Sequence, residues 1–326
     1  MLKILKKWIR KYIYKIYDMR VLKYDINKYI DYYSTSSISN QNGSKAARDI
    51  LVYCHVVEKG LSHKQIKPLF GYDKVNIISD SLVKYVEKGG NDQFIISLAI
   101  STLKQYNDIN RKIGVEEDKL IRIPMYEHSD IGVGVETLSS DDLFCTEKGV
   151  FERFCKSRHS IRLYDCSSDI IDDKLILKAI EIAQTAPSAC NRQSTRVRVI
   201  KSKELIQRVL NIQGGANGFG DNSGAVLVIS SDISLYVPDE RRLPMLDAGL
   251  FVMNLLYALH DNNIGACVLN GSFTNERERK MQEIVKLPSN EMYCALIALS
   301  AIPKNESVLI AKSCKRPIES IVSFID

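Results

Sequence analysis

The chain has 326 residues, 45% of them hydrophobic and 26% charged, which suits two folded units and excludes wholesale disorder. The net charge of +6 is concentrated at one end: residues 1–30 hold nine Lys or Arg against two Asp, an excess of +7, so the other 296 residues sum to −1. A nucleic-acid-binding domain carries its basic charge on a folded face, so this distribution argues against nucleic acid and for a local partner of the first segment.

Residues 2–19 have the spacing of an amphipathic helix, with Leu5, Trp8, Ile9, Tyr12, Ile16 and Met19 at steps of three and four and lysines between them. Such a helix can lie on an anionic membrane surface, or dock on its own domain with its lysines in water. No uninterrupted run of eighteen apolar residues predicts a transmembrane helix, and the basic start lacks the apolar core and cleavage site of a secretory signal. Residues 34–44 read as a polar linker. Residues 45–110 read as mostly helical, with Ala46–Val57 and Asn91–Tyr106 the clearest helices and Gly60, Gly71 and Gly89-Gly90 as punctuation. Residues 115–148 are acidic and irregular and read as a connector.

From Phe151 helices and strands alternate. Helices are expected at Asp172–Ala186, Lys203–Asn211, Asp239–Asn262 and Asn275–Lys286, and strands at Thr195–Lys201, Ala225–Ser231, Ala266–Leu269 and Met292–Ile302. The expected organisation is a basic segment at 1–33, a helical region with its connector at 34–148, and an α+β domain at 149–326. Eight cysteines form no C-x-x-C pair, and no histidine stands at a zinc-ligand spacing from them, so free thiols in a reducing cytoplasm are expected and no metal site.

Six segments in the second half can carry chemistry. Arg158-His159-Ser160-Ile161-Arg162 sets two guanidiniums, an imidazole and a hydroxyl close enough to clamp a phosphate, or forms a solvated basic loop. Ala186-Pro187-Ser188-Ala189-Cys190-Asn191-Arg192-Gln193 offers polar groups on a turn that could read the edge of a planar ring; Ser and Asn are also ordinary loop residues. Gln213–Gly220 is glycine-rich but lies between a helix and a strand, the reverse of a dinucleotide-binding fingerprint. Asp247-Ala248-Gly249 begins the core of a helix that is apolar nearly all round, as suits a core or a dimer interface. Gly265-Ala266-Cys267-Val268-Leu269-Asn270-Gly271 and the basic run Lys312–Pro317 complete the set.

In this order the six segments resemble the nitroreductase family of FMN enzymes, over roughly Phe151–Asp326. The helical first half, with His55-Val56-Val57-Glu58-Lys59-Gly60-Leu61-Ser62, resembles a two-part bacterial subgroup of that family. The resemblance implies an α+β, three-layer α/β/α fold with an antiparallel-rich sheet, a homodimer, and FMN bound at the dimer interface. It implies that Arg158, His159, Ser160 and Arg162, helped by Lys315 and Arg316, hold the phosphate and ring edge. Pro187, Ser188, Asn191 and Gln193 would come from the other subunit, and Leu269 and Asn270 would present backbone groups near the flavin N5, with Asn217 a further ring contact. The reaction implied is hydride transfer from NAD(P)H to FMN and on to a small acceptor, with nitroaromatics and quinones as test substrates. Rival readings are a dehydrogenase or oxidase for a dedicated metabolite, for instance in surface-polysaccharide assembly, and a membrane-associated flavin-binding scaffold without turnover. Ser194, Thr195 and Gly271 stand where the family often has Pro or an aromatic, which predicts a roomier cavity beside the ring.

Overall fold

The computed structural model describes residues 19, 22–61, 66–135, 147, 149–162, 171–302, 308, 310–311, 313 and 315–325. The amphipathic reading of residues 2–19 thus lies outside the described residues, Met19 excepted.

Five helices build the first half: α1 (22–32), α2 (Ser37–Gln41), α3 (Ser44–Leu61), α4 (Tyr72–Glu87) and α5 (Gln93–Lys112). In α3, Ala46, Ala47, Ile50, Leu51, Cys54, Val57 and Leu61 fall on one buried stripe at steps of three and four, the spacing a helix needs to bury one face. That stripe meets Val75, Ile78 and Leu82 of α4 and Ile96, Ile100, Leu103 and Tyr106 of α5 in one core. Asp92 caps α5 by accepting from the Phe94 N–H at 2.9 Å. The expected linker at 34–44 contains α2, because the Ser36 hydroxyl caps the Ser39 N–H and starts a helical turn among polar residues. The described part of the expected connector is a strap on α5: the Ser129 and Ile131 N–H groups donate to the hydroxyls of Ser97 and Ser101, and Ile121 enters the core.

The second half is α+β. Helix α6 (Val150–Ser157) precedes a four-stranded antiparallel sheet of order β1-β2-β4-β3, with β1 at Thr195–Ile200, β2 at Ala225–Asp232, β3 at Ile264–Asn270 and β4 at Glu291–Ala301. Along β2, Ala225, Leu227 and Ile229 face one way, and Val226 and Val228 the other. The first set packs under α7 (Asp173–Ala183) and α9 (Leu243–Asp261), and the second under α8 (Lys203–Gln213) and α10 (Asn275–Val285), which makes three layers. A strand covered on both faces reads as a continuous apolar run, as β2 does from Ala225 to Ile229.

Helix α9 is long and apolar enough by composition to cross a membrane, but Ala248, Phe251, Leu255 and Leu259 lie in the core against the sheet. It begins at Leu243 rather than Asp239, since Pro238–Glu240 forms a separate 3-10 turn. The two halves share a core, for Leu235 and Tyr236 pack among the helices of the first.

The exit from β3 corrects one expectation. A Cβ on Gly271 would lie 2.5 Å from the main chain of Cys294 and Ala295, so the missing side chain is space that β4 already fills and not extra room in a cavity. Gly271→Ala should destabilise the domain by about 1–3 kcal/mol through overpacking against a backbone that cannot yield. Urea denaturation checks this, and a wild-type midpoint would contradict it.

Candidate active site

The segment after α7 forms a tight turn whose shape is imposed from below. Cys190, Asn191 and Gln193 all have φ near +50° (52°, 49° and 49°), a left-handed conformation that costs non-glycine residues about 1–3 kcal/mol each when not compensated. The compensation is visible. The Ser188 hydroxyl accepts from the Gln193 N–H at 2.9 Å. Asp247, buried in the first turns of α9, accepts from the Ala189 N–H at 3.0 Å.

Arg192 points down out of the turn and is fully buried. It donates through Nε to the Ala189 carbonyl (2.8 Å), through Nη1 to the Leu235 carbonyl (2.8 Å), and through both Nη atoms to Glu240 (2.6 and 2.7 Å). Its guanidinium also lies 4.5 Å over the Tyr236 ring. Burial works against its charge, but the hydrogen bonds and charge of Glu240 outweigh this and hold the pKa above the usual arginine value. Burial likewise tends to raise the Glu240 pKa, and the Arg192 hydrogen bonds reverse it to a value below the ordinary one. What stays at the surface of this turn is Pro187, the Ser188 hydroxyl, Asn191 and Gln193. Pro187, Ser188 and Gln193, with Thr195, line one wall of a cleft of about 860 Å³. The opposite wall comes from the helical unit, with Tyr85, Asn91, Asp92 and Phe94.

The second group of expected residues gathers elsewhere. Arg158 ends α6, so the Arg158–Arg162 run follows a helix. The run lies along the free edge of β3, where the Ile161 N–H donates to the Ala266 carbonyl at 3.0 Å. Arg162 bears on the Cys267 thiol, whose pKa is raised by burial and pulled back by that guanidinium. Ala266 therefore turns its main-chain groups outward, and the alternation of an antiparallel ladder turns those of Val268 and Asn270 outward too. Leu269 faces the other way: its main chain addresses β4 and its side chain is in the core. Gln213 ties the glycine loop to this strand end, donating to the Asn270 carbonyl (3.2 Å) and accepting from the Gly215 N–H (2.6 Å), which leaves Asn217 exposed nearby. Lys315 and Arg316 are exposed in the tail, and no hydrogen bond or ion pair among the described residues joins them to Arg158–Arg162.

His260 at the end of α9 completes this second group. Its Nε2 lies 2.8 Å from the Ser157 hydroxyl, and its ring lies against Phe154. Its pKa is lowered by burial first, then by the charges of Arg158 and His159, with Asp261 opposing. The Arg158 guanidinium places positive charge beside this ring. An anion would relieve it.

Within one chain the two groups do not meet. Asn270 pairs with Ala295, Ala295 with Ile229 and Ile229 with Val197, so the end of β3 and the start of β1 are separated by the whole sheet. Three strand spacings amount to about 14 Å. Glu240, Tyr236 and His260 did not stand out in the sequence, and Arg192 and Asp247 were noted only as members of their segments, with no site role. An arginine in a polar turn reads as solvated, and its partner Glu240 is 48 residues away.

The nitroreductase family model matches residues 155–217 and 210–299, which span both groups. Residues 155–299 form a nitroreductase family domain. This family is one of oxidoreductases and generally binds flavin. Over 155 residues the nitroreductase domain is 29% identical to a protein of Archaeoglobus fulgidus assigned provisionally as an NADH dehydrogenase/NAD(P)H nitroreductase, covering 46% of this chain and 83% of that one. Among solved structures, a nitroreductase-like protein from Streptococcus mutans matches with a TM-score of 0.48 at 17% identity, over 54% of this chain and 98% of that one. An FMN-dependent nitroreductase from Clostridium difficile matches with a TM-score of 0.43 at 19% identity, over 53% and 98%.

Glu240→Gln leaves the Arg192 charge buried without its counter-ion and should destabilise the protein by about 3–5 kcal/mol at pH 7. Because the folded Glu240 carboxyl titrates below its usual range, the unfolded chain takes up the proton first as pH falls. The pair's stabilisation is therefore complete above the ordinary Glu pKa of about 4.3 and is lost as pH drops through the folded value. Urea denaturation of both proteins from pH 7 to pH 3 should show the gap between them closing. A gap that stays constant would contradict this.

Proposed function

We propose that the domain is an FMN-dependent oxidoreductase that takes hydride from NAD(P)H and passes it to a small acceptor, and that it works as a homodimer. The observation that carries this reading is the Arg158–Arg162 run with its two guanidiniums, laid along the β3 edge by the Ile161 N–H to Ala266 carbonyl bond and set beside the outward main-chain groups of Val268 and Asn270. A phosphate suits the first and the polar edge of a ring the second. Arg158, His159, Ser160 and Arg162 would hold the phosphate, and the outward main chain at Asn270 would face the ring edge. Bound FMN would supply the hydride chemistry, accepting hydride at N5 and returning it, so the protein needs no nucleophile of its own. The work of these residues is to bind, to orient and to place donors where charge develops.

The separation of the two groups supports the dimer. A second copy can bring its Pro187–Gln193 turn to the first copy's β3 edge, which its own turn cannot reach. The outer face of α9 offers an apolar surface for such a contact: Met245, Leu246 and Leu250 are exposed, Leu246 by 55%. Members of the family typically use NAD(P)H and act as dimers. Purified protein should carry FMN, and anaerobic NADH or NADPH should bleach its oxidised band within minutes. If neither does so, the reading fails, and a dehydrogenase for a dedicated metabolite or a non-catalytic flavin binder replaces it. Arg158→Ala should weaken FMN at least tenfold and leave riboflavin, which has no phosphate, unaffected. Light scattering should give twice the chain mass, and a monomer with flavin bound would contradict the dimer.

A contact with anionic membrane is a further part of this reading. The outward face of α1 supports it: Met19, Leu22, Ile26 and Ile30 are each more than half exposed and continue the apolar spacing of residues 2–19. The +7 excess of residues 1–30 would supply the attraction. The protein should sediment with anionic vesicles and be released by salt. Equal sedimentation with neutral vesicles would count against it.

A further inference from the structure

Tyr236 stands where three parts of the molecule meet. Its hydroxyl donates to Asp247 Oδ2 at 2.7 Å and lies 2.5 Å from the Ser194 hydroxyl. That same carboxylate oxygen of Asp247 accepts from the Ala189 N–H of the strained turn. Its ring lies under the Arg192 guanidinium, the group that holds the turn from within. Its main-chain carbonyl accepts two hydrogen bonds from Ser34 of the helical unit, from the N–H at 3.0 Å and from the hydroxyl at 2.8 Å. Ala189 packs against the core of that helical unit as well. Burial pushes the Tyr236 phenol above its ordinary value and Asp247 pushes it further, so it stays a neutral donor.

We propose that Tyr236 is a positioning residue for the flavin ring, and that through it the helical unit is an integral part of the active site. This rests on the reading of the Ser188–Gln193 turn as the ring-side half of that site. The turn has three left-handed non-glycine residues, so it does not hold its form alone. The Tyr236 hydroxyl fixes the carboxylate that fixes Ala189, and its ring bears the guanidinium that fixes the Ala189 carbonyl. Ser34 fixes the tyrosine main chain in turn. Removing the helical unit's grip, or the hydroxyl alone, loosens the turn while leaving Arg158 and its neighbours at the other edge of the sheet intact.

The test uses the full chain and two probes, FMN and riboflavin. Tyr236→Phe keeps the ring under Arg192 and deletes only the hydroxyl. It should raise the dissociation constants of FMN and riboflavin together by about tenfold, the size expected for a buried hydrogen bond to a charged group. The visible band of the bound flavin should shift as its ring surroundings change. Ser34→Ala should weaken both ligands in the same way by about threefold. Ile206→Val, in the separate core under α8, lowers stability without this effect and controls for destabilisation alone. If Tyr236→Phe lowers the melting temperature but binds both flavins as wild type does, Tyr236 is structural and the proposal is overturned. If Ser34→Ala is without effect, the helical unit's part in it is overturned. If the wild-type protein binds neither flavin, the flavin reading itself has failed, an outcome distinct from both.

Discussion

One buried guanidinium organises this molecule. Arg192 lies beneath a turn that otherwise presents polar groups to solvent, with its side chain only 1% exposed. A charge taken so far out of water is tolerable only with a bidentate counter-ion and its remaining donors satisfied. Glu240, two carbonyls and the Tyr236 ring meet that demand. Each of these partners is thereby fixed in place. Glu240 holds the 3-10 turn ahead of α9, Leu235 and Tyr236 connect to the helical unit, and Ala189 carries the strained turn. Local stability is spent on a surface whose backbone is unfavourable, the usual sign that the surface has a task.

The sheet then decides how many chains the task needs. Its order places the cationic group on the β3 edge and the turn beside β1, with two strands between them. Among the described residues no hydrogen bond or ion pair joins the two groups across that width. In the proposed homodimer a two-fold partner would resolve this without any change in fold, because in an isologous interface each copy supplies what the other lacks. The exposed apolar face of α9, with Met245, Leu246 and Leu250, suits such a contact.

Much of the fold was legible from residue pattern. The continuous Ala225–Ser231 run marks a strand covered on both faces, and the stripe of α3 marks a helix with one buried side. Boundaries slipped where local chemistry intervened: Pro238–Glu240 forms its own turn ahead of α9, and the Ser36 cap starts a helix inside a polar stretch. Helix α6 and the strap on α5 were not read, since short or irregular segments owe their form to what they pack against. The site was half legible. Motif order picked out both groups of residues as candidates. It gave no view of what lies beneath them, because Arg192 meets Glu240, and Asp247 meets Ala189, across 48 and 58 residues. Gly271 shows the opposite limit: a small residue suggested a cavity, and the space belongs to the backbone of β4.

The central claim is that each site takes its phosphate-binding group from one chain and its ring-side turn from the other. A mixed-dimer experiment tests it most directly. Arg158→Ala lacks a guanidinium for the phosphate, and a Ser188→Ala/Gln193→Ala variant lacks the polar face of the turn; each alone should bind FMN poorly. Unfolded together and refolded as mixed dimers, one chain's intact cations meet the other's intact turn, and one full-affinity FMN site per mixed dimer should return. If mixing restores no binding, both groups act within a single chain, and the account of the site given by this sheet is wrong.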